Sequence, residues 1–230
     1  MNPERYAQQG FGDITETFNP VTGCLHECVY CWARRYSRRL ALMGVKPYES
    51  CGFKPAFADW RLKQKFPSGS FIFVSDMGDM WGEWVPKEWI QETLKHLRTR
   101  THNQFLFLTK NPIRYSEFLG EFSKNMMLGA TIETNRDYRL AKAPVPTERF
   151  KAMKDLKWKH KALVIEPILD FDPVFVDWIT QISPEMVYVG YDNYGNNLPE
   201  PQLEKTKMLL QEILGKTDVR AKALRKAWFE

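Results

Sequence analysis

Five short runs in this chain are apolar at nearly every position: Phe71-Ile72-Phe73-Val74, Phe105-Leu106-Phe107-Leu108, Met126 to Ile132, Ala162-Leu163-Val164-Ile165 and Met186-Val187-Tyr188-Val189. A strand with one wet face alternates, so continuous runs of this length predict strands covered on both faces, the pattern of a parallel sheet. The segments between them carry helical stripes. Pro86 opens one with Trp89, Ile90, Thr93, Leu94 and Leu97 inward. Asn111 as cap and Pro112 open a second with Tyr115, Phe118, Leu119 and Phe122 inward. Asp172-Pro173 opens another with Phe175, Trp178, Ile179 and Ile182 inward.

Thr147 is expected to cap a short helix, and Pro199 to Leu214 makes the last regular one. Upstream, Asp13 to Gly23 alternates and turns at Asn19-Pro20 and Gly23, a first strand leading into a helix over Val29 to Met43. Residues 44–69, rich in Pro and Gly without a clear period, form an excursion with short helices at most, able to serve as a lid. Lys216 to Glu230 reads as a short basic helical tail. Six strands alternating with six helices call for a parallel sheet with right-handed crossovers in one domain, residues 1–215.

Every strand ends in polar residues: Asp76-Met77-Gly78-Asp79, Thr109-Lys110, Glu133-Thr134-Asn135-Arg136, Glu166, and Gly190-Tyr191-Asp192-Asn193. Ligands of such sheets sit at the carboxyl ends of the strands, so these residues should converge on one rim. The plainer alternative is that they cap helices and form surface turns. The first strand ends in the densest chemistry, Cys24-Leu25-His26-Glu27-Cys28-Val29-Tyr30-Cys31, three thiols spaced C-x3-C-x2-C. Soft thiolates on one loop suit an iron–sulfur cluster, zinc or copper(I). A structural zinc site would need a fourth ligand, His26 or a distant one, and a dithiol reading of Cys28-Val29-Tyr30-Cys31 leaves Cys24 unused.

With four cysteines, three of them bunched, the chain does not resemble a disulfide framework. Met1 to Gly12 is too polar for a secretory signal and no apolar run is long enough to span a membrane, so a cytoplasmic protein is expected. The net charge of +5 permits an anionic partner without requiring one. Arg34, Arg35, Arg38 and Arg39 fall on the outer side of the first helix, where arginines are more often solvated than bound.

Cys24, Cys28 and Cys31, with Tyr30 before the third, reproduce a signature that resembles the radical S-adenosylmethionine (radical SAM) superfamily, and the β/α units resemble its α/β partial (β/α)6 barrel of parallel strands. More narrowly, Asn19 to Cys24, Phe71 to Asp79, Leu108-Thr109-Lys110 and Ile165-Glu166-Pro167 are similar to a poorly characterised phage-associated branch. The resemblance implies that the three cysteines ligate a [4Fe–4S] cluster and that SAM completes it, is cleaved reductively to a 5′-deoxyadenosyl radical, and so abstracts hydrogen from a substrate. It implies that Tyr30 packs near the adenine, that Asp76, Gly78 and Asp79 lie where the methionine amino group is bound, and that Glu133 faces the ribose. It further implies that Lys110 or Arg136 pairs with the SAM carboxylate and that Glu166 contacts SAM or substrate. Expected partners are an electron donor such as ferredoxin or flavodoxin and an unknown substrate, either a nucleic acid with Cys51 as hydrogen-atom donor, or a small molecule or peptide.

Overall fold

The computed structural model describes residues 12–222 and 224–230. The reading of Met1 to Gly12 therefore lies outside the described residues save for Gly12. The strands are β1 (Glu16–Phe18), β2 (Val21–Thr22), β3 (Ala56–Phe57), β4 (Phe71–Val74), β5 (Gln104–Thr109), β6 (Met126–Thr131), β7 (Lys161–Ile165), β8 (Met186–Gly190) and β9 (Asp218–Lys222). The helices are α1 (Trp32–Leu42), α2 (Tyr48–Cys51), α3 (Lys87–Arg98), α4 (Pro146–Asp155), α5 (Phe175–Ile182) and α6 (Leu203–Ile213). One sheet runs β1-β4-β5-β6-β7-β8-β9 with every neighbouring pair parallel, and β2 and β3 form a small antiparallel ribbon. The chain is an α/β partial barrel of parallel strands.

The apolar runs are continuous because both faces of the sheet are covered. Ile72, Val74, Phe105, Phe107, Leu163, Ile165, Val187 and Val189 belong to the main core, and the alternate residues Phe73, Leu106, Ala162, Val164 and Tyr188 are buried on the other face. The stripe Ile90, Thr93, Leu94 and Leu97 is the buried side of α3. Curling brings the two outer strands of the sheet together: Arg220 Nε of β9 lies 2.9 Å from Oδ2 of Asp13, just before β1.

Three local expectations are corrected. Among the described residues, the tail contains a seventh strand of the main sheet, β9, and no basic helix. Val219 and Ala221 are buried on one face, while Arg220 and Lys222 project from the other to pair with Asp13 and Glu166, so charges that read as part of a basic helix are ion-pair partners on a strand. Residues Pro112–Glu121 wind as 3-10 turns instead of an α-helix; Asn111 caps nothing with its side chain, which donates to the Trp81 carbonyl. Thr147 lies inside α4, whose N-cap is Val145 and whose free amide donates to Glu148 Oε2 at 3.1 Å.

The excursion holds α2, β3 and a 3-10 turn over Asp59–Lys63. It braces the cysteine loop through Cys24 N to Phe53 O at 3.1 Å and Ala58 N to Pro20 O at 2.7 Å. Among the described residues, no helix is long and apolar enough to cross a membrane.

Candidate functional site

The cysteine loop is fixed by backbone before any side chain contributes. Gly23, at φ +80°, bridges Gly78 at the end of β4: Gly23 N donates to Met77 O at 2.9 Å and Asp79 N to Gly23 O at 3.2 Å. A Cβ on Gly78 would stand 2.7 Å from Gly23 O, so the close approach of the two strand ends needs glycine at 78, while a Cβ on Gly23 would meet the Lys54 carbonyl oxygen at 2.2 Å. Beyond Gly23 the chain turns over the rim. Cys24 Sγ accepts from His26 N at 3.4 Å, Cys28 is buried, and Cys31 caps α1 by accepting from Arg34 N at 3.3 Å. Burial, with Asp79 and the neighbouring thiols, pushes Cys24 far up, and burial also raises Cys28, so uncompensated thiolates are disfavoured here.

Asp79 sits behind this loop. It accepts from His26 Nε2 at 2.8 Å, Thr109 Oγ1 at 2.8 Å, Lys110 N at 3.0 Å and Trp81 N at 2.9 Å. Burial alone would raise its carboxyl, but the His26 hydrogen bond and charge and the β5-end donors outweigh that and hold it below the usual range. Asp79 thus ties the cysteine loop to the end of β5.

In front of the loop, the end of β6 places Glu133 at the centre of a buried charge cluster. Its Oε1 accepts from Tyr30 Oη and Lys110 Nζ, and its Oε2 from Arg149 Nη1 at 2.7 Å; Lys110 Nζ also stands 5.3 Å from the Tyr30 ring centre. Burial would raise the Glu133 carboxyl, yet Arg149 and Lys110 outweigh it and hold it far below the carboxylate range. Tyr30, Glu133, Arg136, Tyr138 and Arg149 line a narrow groove.

The remaining predicted residues are placed as follows. Asp76 accepts from Asn19 Nδ2 at 2.6 Å, and burial raises its carboxyl. Arg136 is bound to Asp170 and Asp172 at the outer lip, and Glu166 Oε2 accepts from Lys222 Nζ at 2.5 Å. Asp192 shapes its own loop by accepting from Tyr194 N at 3.2 Å and Asn196 N at 2.7 Å. Cys51 shares an open hollow with Cys24, Arg34, Phe53 and Lys54. Sequence reasoning missed Arg149, Lys222 and the anchoring role of His26. The buried side of α4 carries Arg149 among Phe150 and Met153, and a cation on an apolar stripe is the signal that it has a buried partner.

Among the described residues, no three His, Cys, Asp or Glu side chains surround one point as a single metal ion requires. A cluster binds each thiolate to a different iron and does not ask for that convergence. The donor set itself, the three free thiols Cys24, Cys28 and Cys31 on one loop, is of the soft kind that a cluster takes.

Fold and rim define an α/β partial barrel with a thiol-bearing mouth. The chain belongs to the family described as "Protein of unknown function (DUF5131)", which matches residues 12–183. No curated protein sequence matches it. Among solved structures it is similar in fold to a mutant of spore photoproduct lyase, with a TM-score of 0.61 at 10% identity over 94% of this chain and 79% of that one. A spore photoproduct lyase mutant with dinucleoside spore photoproduct gives 0.55 at 12% over 84% of this chain, which spans 58% of that protein's length. SuiB of Streptococcus suis bound to S-adenosylmethionine gives 0.53 at 10%, over 90% of this chain and 50% of that one.

Proposed function

We propose that this chain is a radical SAM enzyme. The observation that carries the reading is the position of Cys24, Cys28 and Cys31 at the carboxyl end of the first strand of a parallel half-barrel, fixed by the Gly23–Gly78 bridge and facing the Tyr30–Lys110–Glu133 cluster. When bound, a [4Fe–4S] cluster and SAM supply one-electron cleavage of the sulfonium C–S bond and a hydrogen-abstracting 5′-deoxyadenosyl radical. The protein's share is placement. The three cysteines would hold the cluster, and Asp79 would keep their loop in register through His26.

Tyr30 would offer its ring to the adenine and Glu133 its carboxylate to the ribose. Lys110 or Arg136 would pair with the SAM carboxylate; the first is held by Glu133 and the second by Asp170 and Asp172. Asp76 and Gly78 stand at the strand end assigned to the methionine amino group. Electrons would come from a ferredoxin- or flavodoxin-like donor. The narrower likeness to the phage-associated branch rests on the sequence segments alone.

The test is anaerobic reconstitution with iron and sulfide, followed by SAM and dithionite. A brown chromophore and formation of 5′-deoxyadenosine are expected. Cys24→Ala, Cys28→Ala and Cys31→Ala should each lose the iron, and Cys51→Ala should keep it. A colourless protein with stoichiometric zinc overturns the reading.

A further inference from the structure

The first helix has a face that its fold does not use. α1, Trp-Ala-Arg-Arg-Tyr-Ser-Arg-Arg-Leu-Ala-Leu, buries Ala33 and Ser37 and carries no acidic residue. Trp32 and Tyr36, four residues apart, are 39% and 46% exposed with ring centres 6.5 Å apart, and Arg35, Arg38 and Arg39 flank them in the open. Among the described residues, Arg38 and Arg39 take part in no ion pair. Arg35 donates to the side-chain oxygen of Asn196, and its guanidinium lies 5.8 Å from the ring of Tyr194, itself 53% exposed in the loop after β8. The patch therefore crosses the seam between the first helix and the loops at the far end of the sheet, and begins one residue from Cys31.

A solvated helix face usually mixes charges so that residues three or four apart neutralise one another. Here cations stand unneutralised between aromatic rings left in water. We infer that this seam, comprising Trp32, Arg35, Tyr36, Arg38, Arg39 and Tyr194, is a docking surface for single-stranded nucleic acid leading to the barrel mouth. Guanidinium forks match phosphate oxygens, and exposed rings stack on bases whose faces are free only when unpaired. That the strand is substrate rests on the radical SAM reading; that it docks does not.

The test uses the full chain, as purified and after reconstitution, with fluorescein-labelled single-stranded and duplex oligonucleotides read by anisotropy across a salt series. Single strands should bind better than duplex and weaken steeply with salt. Arg38→Ala with Arg39→Ala should weaken binding about tenfold or more and flatten the salt slope by about 0.7 for each phosphate that is no longer neutralised. Tyr36→Ala should weaken it about tenfold with the slope unchanged. Circular dichroism and iron content should stay those of the parent.

Absent or salt-independent binding overturns the inference, as does full binding by the arginine variant. Equal arginine-dependent retention on phosphatidylserine vesicles or polyglutamate also overturns it, showing a general anion surface. Oligonucleotide binding by a chain that takes up no cluster would leave the docking surface standing and the radical SAM reading failed.

Discussion

His26 Nε2 and Asp79 Oδ2 lie 2.8 Å apart with both side chains buried, joining the middle of the cysteine loop to the carboxylate that also receives Thr109 Oγ1 and Lys110 N. The two residues are 53 positions apart, so the contact is built by adjacency of strand ends in the sheet. It makes the loop's position depend on the ends of β4 and β5.

Asp79→Ala removes the shared acceptor and leaves a buried histidine, a hydroxyl and two amides without it. Breaking such a buried polar pair costs on the order of 3–5 kcal/mol. Urea unfolding should show a loss in that range for Asp79→Ala and a smaller one for Asp79→Asn, which keeps one acceptor oxygen. Iron uptake on reconstitution should fall in the same order. An Ala variant as stable as the parent would show that the loop is held by backbone alone.

Glu133 ties pH to stability. Its carboxyl titrates below its ordinary value of 4.5 in the native state, so its contribution is complete above that pH and is lost as pH falls below it toward the lower native value. Glu133→Gln removes the contribution and leaves Lys110 and Arg149 without their buried anion, costing about 3–5 kcal/mol near neutral pH. The stability gap between parent and variant should be widest near neutrality and narrow in acid. A gap that stays constant from about pH 7 down to about pH 3, through the range where carboxylates protonate, would contradict the charge assignment.

The strands that matter most were legible because burial on both faces writes itself as continuous apolar sequence. Phe71–Val74 and Ala162–Ile165 needed no tertiary information. The strand-end residues Lys110 and Glu133 were legible for the same reason, since a parallel sheet gathers its carboxyl ends. The structure brings these two together with Tyr30 and sends Arg136 outward to Asp170 and Asp172. Partners supplied from elsewhere in the chain were not legible: Arg149 reaches Glu133 from 16 residues away on α4, and Lys222 reaches Glu166 across 56. Local period also cannot separate an α-helix from the 3-10 turns of Pro112–Glu121, because inward positions at i and i+3 serve both.

Gly23→Ala tests the backbone bridge. A Cβ there would stand 2.2 Å from the Lys54 carbonyl oxygen, and the φ of +80° is one that L side chains rarely adopt. Strain of this kind costs roughly 1–3 kcal/mol. The variant should melt earlier and take up less iron, whereas Gly44→Ala, also at positive φ but with nothing within 4 Å, should lose stability and keep its iron. Equal iron uptake by both variants would detach the bridge from the site.

The seventh strand of the main sheet can be tested by two neighbouring substitutions with opposite expectations. In β9, Val219 is 5% exposed and packed in the core, whereas Arg220 is about one-third exposed and pairs with Asp13 and Asp218. Val219→Asp would bury an unpaired carboxylate and should cost several kcal/mol, on the order of 3–5. Arg220→Ala removes a partly solvated pair, and such pairs are worth at most about 1 kcal/mol. Chemical denaturation of the two variants should therefore separate them by more than twofold in lost stability. If Val219→Asp unfolds like the parent, the segment is not a buried strand; if Arg220→Ala is the worse of the two, the Asp13 pair holds the sheet edges together more strongly than a solvated ion pair can.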